Sequence, residues 1–410
     1  MDRFRFHPRP HGPASRVAAL LCAAALQGVQ AAPAPDCAHQ LAAAPAAGDP
    51  GFDWRTLPAA PAGARGPYRI AVWGDSLTSA PNFIDAALGA AGIDARGVRP
   101  GFIQAGLGVA GLALPVRQAC ASAGWRTGYA YKDKSAAPAY SEGLLSMTSS
   151  GPGDAVFLDL RFPRPDARVR ALDVVYDKAA PGASLLLGVS VDGRAERLIP
   201  LTGSTARVLH IAPQAPLATA RIRIVSGQMR LHGFRPSYEE TPRIVLDALS
   251  VPGGQLRAWS QVDPALAAGA PDYDLILLQY GTNEGAAPAF DAPRYAGYLR
   301  THLARVRALH PQARCILIGP PDRGMTGIGD PLKYAAIHRS IATAQRRASA
   351  EFHCGFWDWQ GETGGPGTAM RWAQARPPFM QQDLTHLTAR GYEASGRLFA
   401  RFYPFPIPSH

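Results

Sequence analysis

At 410 residues the chain is long enough for one large or two medium domains with real cores, and 47% apolar against 18% charged residues fits a globular protein rather than a disordered or fibrous one. Its net charge of +11 favours anionic partners such as cell-wall polymers, yet the arginines are scattered and no helix-turn-helix, zinc-finger or RNA-binding signature is present, so nucleic acid is not the expected partner. The 38 Pro and 42 Gly predict many turns and irregular stretches.

Residues 1–31 begin with Arg3, Arg5, Arg9 and Arg16, continue through an apolar run at 17–29 that is too short to span a bilayer, and end on the small-residue site Val29-Gln30-Ala31. This is the pattern of a secretory signal peptide cleaved near Ala31, which implies a periplasmic or secreted protein of net charge +8. No later run is long and apolar enough for a membrane helix. Export leaves Cys37, Cys120, Cys315 and Cys354, which in an oxidising compartment can form two disulfides by any of three pairings. Cys315 and Cys354 lie in apolar runs and can equally be buried thiols. No spacing suggests a metal site, and no cofactor is implied.

Residues 32–66 are rich in Ala, Pro and Gly and read as a linker or irregular wrap. An α/β segment at 67–124 follows: an apolar strand at 68–73, a polar turn Gly74-Asp75-Ser76, a helical pattern at 82–91 and a Gly-rich stretch at 99–111. From 125 to 238 the texture changes to short alternating runs, at 155–161, 169–176, 184–191, 207–211, 221–225 and 229–234, with no convincing helix between them. That spacing predicts an inserted β-sandwich, either a plain scaffold or a carbohydrate-binding or substrate-gating module.

From 239 to 410 the α/β rhythm returns. Strands are expected at 244–249, 275–280, 315–319 and 353–357. One helix is capped by Asp291 and lined by Tyr295, Leu299, Leu303 and Val306; a second carries Tyr334, Ile337, Ile341 and Ala348; a third closes the chain at 390–402. Strands alternating with helices predict a parallel sheet covered on both faces, with reactive groups at the carboxyl ends of the strands.

Four local patterns sit at such ends. Ser76 occupies the turn after the first strand, where a base can reach its hydroxyl. Asp383 and His386, three residues apart, can lie side by side, so that the carboxylate orients the imidazole; taken alone the pair reads as readily as a helix cap. Asn283, in Tyr280-Gly281-Thr282-Asn283-Glu284, can present an amide to an oxyanion or simply form a turn. Gly253, in Val251-Pro252-Gly253-Gly254-Gln255, can bring a backbone N–H close to a reacting carbonyl or mark a plain glycine turn. Trp125, Trp357, Trp359 and Trp372 can stack on sugars or pack in the core, and His210 and His232 fall in insert strands.

In this order and placement the four patterns resemble the SGNH/GDSL hydrolase family over about residues 66–123 and 241–410. The resemblance implies a three-layer α/β/α, flavodoxin-like parallel sheet interrupted by the β-sandwich insert. It implies Ser76 as nucleophile, His386 as general base and Asp383 as its orienter, with an oxyanion hole from Ser76 N–H, Gly253 N–H and the Asn283 amide. Asp75 is expected to form the turn rather than to react. The β-rich insert, Arg99-Pro100-Gly101-Phe102-Ile103 and Gln381-Gln382-Asp383-Leu384-Thr385-His386-Leu387-Thr388 are most similar to periplasmic peptidoglycan O-acetylesterases of that family. An O-acetylated glycan is therefore the expected partner, and polysaccharide O-acetyltransfer or broad lipase/esterase activity is the alternative. The chain departs from those enzymes at Leu77, where His is frequent, and at Pro252, where Asn often precedes the glycine; the second departure makes Gly254 a possible substitute for Gly253.

Overall fold

A computed structural model describes residues 37–42, 66–162, 168–178, 180, 182–201, 207–267, 272–286, 289–325 and 329–405. The expected signal peptide lies outside the described residues.

The six strands of the parallel sheet are β1 (Tyr68–Gly74), β2 (Val98–Arg99), β3 (Ile244–Ala248), β4 (Leu275–Gln279), β5 (Arg314–Ile318) and β6 (Gly355–Trp357), in the spatial order β6-β5-β4-β1-β3-β2. The central strands are almost wholly apolar because both of their faces are covered. On one face Ile70, Val72, Leu277 and Ile316 pack with Phe83 and Phe399 from helices Asn82–Ala90 and Ala389–Phe402. On the other, Ala71, Trp73, Ile276 and Leu278 pack with Leu303 and Ile341 from helices Ala292–Leu309 and Lys333–Glu351. These two cores make the three layers. Helix Ala292–Leu309 begins where the sequence signals it: the Asp291 carboxylate accepts from Arg294 N–H at 3.0 Å, and Tyr295, Leu299, Leu303 and Val306 are its buried face.

The inserted region is a pair of antiparallel sheets. One runs Arg197–Pro200, Leu186–Val191, Thr219–Ser226, Ala155–Asp159, Gln118–Ala121. The other runs Val208–Ile211, Val169–Lys178, Met229–Tyr238, Leu145–Thr148, Arg126–Tyr129, with Ile103–Gln104 paired to Met229–Tyr238. Leu158, Leu187, Val189 and Ile222 of the first sheet share a core with Val174, Tyr176, Leu231 and Phe234 of the second. Strands Ile103–Gln104 and Gln118–Ala121 thus join the antiparallel sheets from positions ahead of 125. Within the Ala/Pro-rich stretch, helix Cys37–Ala42 is tied to the strand Gln118–Ala121 by the Cys37–Cys120 disulfide, and Arg221 Nη2 donates to Leu41 O at 2.7 Å. The second disulfide, Cys315–Cys354, joins β5 to the segment entering β6.

Where insert and parallel sheet meet, Trp73 Nε1–H donates to Glu142 O at 2.8 Å, and Glu142 Oε1 lies 3.4 Å from His310 Nε2. Burial pushes the Glu142 carboxyl up to about 8 and the His310 imidazole down to about 4, so near neutral pH this contact joins two neutral groups rather than an ion pair. A carboxyl raised on folding binds its proton more tightly in the native state. Its contribution to stability is full below its unfolded value near 4.5 and disappears as pH rises through about 8. Burial raises Glu284 as well, to about 7, which acts in the same sense. The depressed histidines His302, His310 and His338, each near 4, oppose this as pH rises through their unfolded value of 6.5, an effect that Glu142→Gln leaves in place. Between pH 6.5 and 8 the protein is therefore expected to lose about 2 kcal/mol through Glu142. Urea midpoints at the two pH values should show the fall, and Glu142→Gln should remove most of it; an equal fall in the variant would place its origin elsewhere.

Candidate active site

Strand β1 ends in Gly74, and the chain turns sharply through Asp75 and Ser76. Asp75 is fully buried, and its Oδ1 accepts the Leu77 N–H at 2.9 Å, which closes the turn. Burial pushes this carboxyl up to about 6, against the pull of the Leu77 hydrogen bond. Asp75 therefore shapes the turn and faces away from solvent, while Ser76 is left partly exposed.

Three hundred and ten residues later, the Ser76 hydroxyl meets His386: Oγ lies 2.9 Å from Nε2. The other ring nitrogen, Nδ1, lies 2.6 Å from Asp383 Oδ2. A carboxylate can only accept, so this contact places the hydrogen on Nδ1 and leaves Nε2 free to accept from the serine. The loop that presents the pair is tightly built. Asp383 Oδ1 accepts the N–H groups of both Thr385 and His386 at 3.0 Å, Leu384 takes a left-handed φ of 53°, and Gln381 N–H donates to His386 O at 2.8 Å. Partial burial raises the Asp383 carboxyl, but the hydrogen bonds from the His386 side chain and the two backbone N–H groups outweigh it and leave its pKa lowered. Asp383 is thus held ionised beside the imidazole.

Beyond the carboxyl ends of β3 and β4, two turns face each other. Asn283 follows β4, and its Nδ2 donates to Gly254 O at 3.0 Å, which leaves one amide hydrogen for a ligand. Residues Val251 to Gly254 form a type II turn, with Pro252 and then Gly253 at its centre: Gly254 N–H donates to Val251 O at 2.7 Å, and Gly253 has a φ of +76°. The Gly254 N–H is thereby engaged, whereas no acceptor among the described residues engages that of Gly253. Between the two expected glycines, this geometry favours Gly253 as donor. The turn is fastened to the serine strand, since Val251 N–H donates to Gly74 O at 3.0 Å. A Cβ on Gly254 would sit 2.8 Å from that same carbonyl oxygen, so this position also admits only glycine.

All five expected site residues thus gather at the carboxyl ends of β1, β3 and β4 and in the loop before the last helix. Sequence reasoning missed what holds them. Glu284, next to Asn283, accepts Gly281 N–H at 3.0 Å and Leu256 N–H at 2.8 Å, and so clamps the two donor turns together. Its only sequence signal is an acid directly after Gly-x-Asn. Buried Gln279 donates to Asp75 Oδ2 at 3.3 Å, from a position that reads as the polar end of an apolar strand. Trp125, Trp357 and Trp359 are buried, so they pack rather than offer stacking faces, and Trp372 lies half-buried against Phe379. His210 and His232 pair with Asp173 and Asp177 inside the insert.

Residues 232–394 match the family model described as the GDSL-like lipase/acylhydrolase family. The matched segment contains Gly253, Asn283, Asp383 and His386; Ser76 precedes it, on the far side of the insert. Among solved structures, a peptidoglycan O-acetylesterase is similar over 83% of this chain and 91% of its own, with a TM-score of 0.62 at 19% identity, a likeness of fold. An acetylxylan esterase from Geobacillus stearothermophilus, at 16% identity, is covered over 72% of its length against 39% of this chain, with a TM-score of 0.30. A family two carbohydrate esterase from Cellvibrio japonicus, at 13% identity, is covered over 96% against 70%, with a TM-score of 0.26. No curated protein sequence matches this chain.

Proposed function

We propose that this chain is an exported serine esterase that removes O-acetyl groups from a polysaccharide, with peptidoglycan as the first candidate. The observation that carries the reading is the unbroken line of contacts from Ser76 Oγ through His386 to Asp383, at 2.9 and 2.6 Å. In this mechanism Ser76 Oγ attacks the acetyl carbonyl while His386 Nε2 takes its proton, and Asp383 stabilises the imidazolium so formed. The oxyanion is met by the N–H groups of Ser76 and Gly253 and by the free Asn283 amide hydrogen. The tetrahedral intermediate collapses as the sugar oxygen leaves with the proton from His386. Water, deprotonated by the same imidazole, then attacks the acetyl-serine; acetate departs and the serine hydroxyl is restored.

Three observations support a bulky external substrate. The side chains of His386 and Asp383 are 36% and 47% exposed, so the site opens on a surface that a polymer can approach. The basic balance suits an anionic wall. The similar solved structure is named for peptidoglycan. Export is supported by the amino-terminal pattern and by two disulfides, which persist in oxidising compartments.

Acetate release should be compared on O-acetylated peptidoglycan, acetylated xylan and short-chain lipid esters, with and without an acceptor glycan. The expected result is hydrolysis of the peptidoglycan acetyl groups with kcat/KM at least about tenfold above the others. Equal turnover of lipid esters would replace the glycan reading with a general lipase, and acetyl transfer to the acceptor would replace hydrolysis.

A further inference from the structure

The type II turn that carries Gly253 has a weakness at its centre. Types I and II differ by a flip of the peptide between the second and third residues, here Pro252–Gly253. The polar groups of that peptide are Pro252 C=O and Gly253 N–H alone, and glycine adopts either sign of φ without steric penalty. In a trans peptide the carbonyl and the N–H point in opposite directions. Whatever holds Pro252 O therefore decides where Gly253 N–H points.

Tyr131 holds it. Its hydroxyl donates to Pro252 O at 3.2 Å, and a Cβ built on Gly253 would lie 2.6 Å from the same hydroxyl oxygen, so the phenol end lies against the turn. Tyr131 comes from the antiparallel part of the molecule, two residues after the strand Arg126–Tyr129. Its ring meets that of Tyr129 edge-on at 5.8 Å, and Lys132 Nζ sits 4.3 Å from the Tyr129 centroid and 5.5 Å from that of Tyr131. The turn after the strand is closed by Lys132 N–H on Tyr129 O at 3.0 Å. The phenol is thus delivered from a braced position rather than from a loose loop.

We propose that Tyr131 is a positioning residue of the oxyanion hole: its hydroxyl locks the Pro252–Gly253 peptide in the type II orientation and so aims the Gly253 N–H at the developing oxyanion. The inserted β region is then part of the catalytic apparatus, because it fixes one of the donors. This inference rests on the esterase reading above.

The test is Tyr131→Phe, which removes the hydroxyl and keeps the ring, assayed on p-nitrophenyl acetate so that glycan binding plays no part. The expected result is a kcat lowered about tenfold at unchanged KM, less than the loss of a whole donor because the turn still samples the right orientation. Inhibition by methylboronic acid, which forms a tetrahedral anionic adduct on the serine, should weaken by a similar factor, and the shape of the pH–rate profile should not change. Wild-type kcat, a change confined to KM, or a thermal midpoint lowered by more than about 5 °C would overturn the proposal, the last because it assigns the hydroxyl to folding. Ser76→Ala run alongside separates the two claims. Activity retained in Ser76→Ala defeats the esterase reading itself, whereas an inactive Ser76→Ala beside a fully active Tyr131→Phe defeats only the role of Tyr131.

Discussion

Ser76→Ala should lower kcat/KM on an acetyl ester by at least about four orders of magnitude, His386→Ala should do the same, and the double variant should be no worse than either. Non-additivity is the distinctive part. Under the proposed mechanism the 2.9 Å contact between Ser76 Oγ and His386 Nε2 makes the two side chains one device: without the hydroxyl there is no proton for the imidazole to take, and without the imidazole the hydroxyl stays a weak nucleophile. Residual activity in the variants would come from the oxyanion donors alone. The substitution removes only a partly exposed hydroxyl and leaves the Asp75 contacts that build the turn, so the thermal midpoint should hold. Additive losses in the double variant would mean that the two residues act at separate steps, and full activity in Ser76→Ala would place the nucleophile elsewhere.

That device was legible before any coordinates because each half has a local signature. Apolar strand β1 followed by Gly-Asp-Ser places a hydroxyl at the end of a sheet strand, and Asp383-x-x-His386 is short enough to pair within one loop. The long helices were equally readable, since Asp291 caps one and the apolar spacing of Tyr295, Leu299, Leu303 and Val306 states its buried face. What sequence did not show is set by distance along the chain. Glu284 reaches Leu256 and Tyr131 reaches Pro252, partners 28 and 121 residues away, and neither acid nor phenol carries a pattern that names its partner. The strands Ile103–Gln104 and Gln118–Ala121 are short and half polar, so they exist only because neighbouring strands supply their hydrogen bonds. The Cys37–Cys120 pairing spans 83 residues and is likewise a property of the folded sheet, not of local spacing. The choice between Gly253 and Gly254 needed one hydrogen bond, from Gly254 N–H to Val251 O, that only the turn geometry reveals.

The same turn sets the second large effect. Asn283→Ala should lower kcat by about 10² to 10³, about 3 to 4 kcal/mol of transition-state stabilisation, while KM stays within about twofold. The split follows from what the amide touches. One Nδ2 hydrogen is fixed on Gly254 O at 3.0 Å and the other meets no acceptor among the described residues, so under the proposed mechanism the side chain waits for charge that only the tetrahedral intermediate brings. Because that first hydrogen also ties the Gly253 turn to the β4 turn, alanine loosens a second donor, which puts the expected loss at the upper end of the range. Glu284 keeps the two turns together through Gly281 and Leu256, so the backbone should survive and the melting temperature should change little. Steady-state kinetics on p-nitrophenyl acetate decide the matter. A raised KM with normal kcat would make Asn283 a substrate-binding residue, and the oxyanion would then have to be carried by the backbone donors of Ser76 and Gly253 alone.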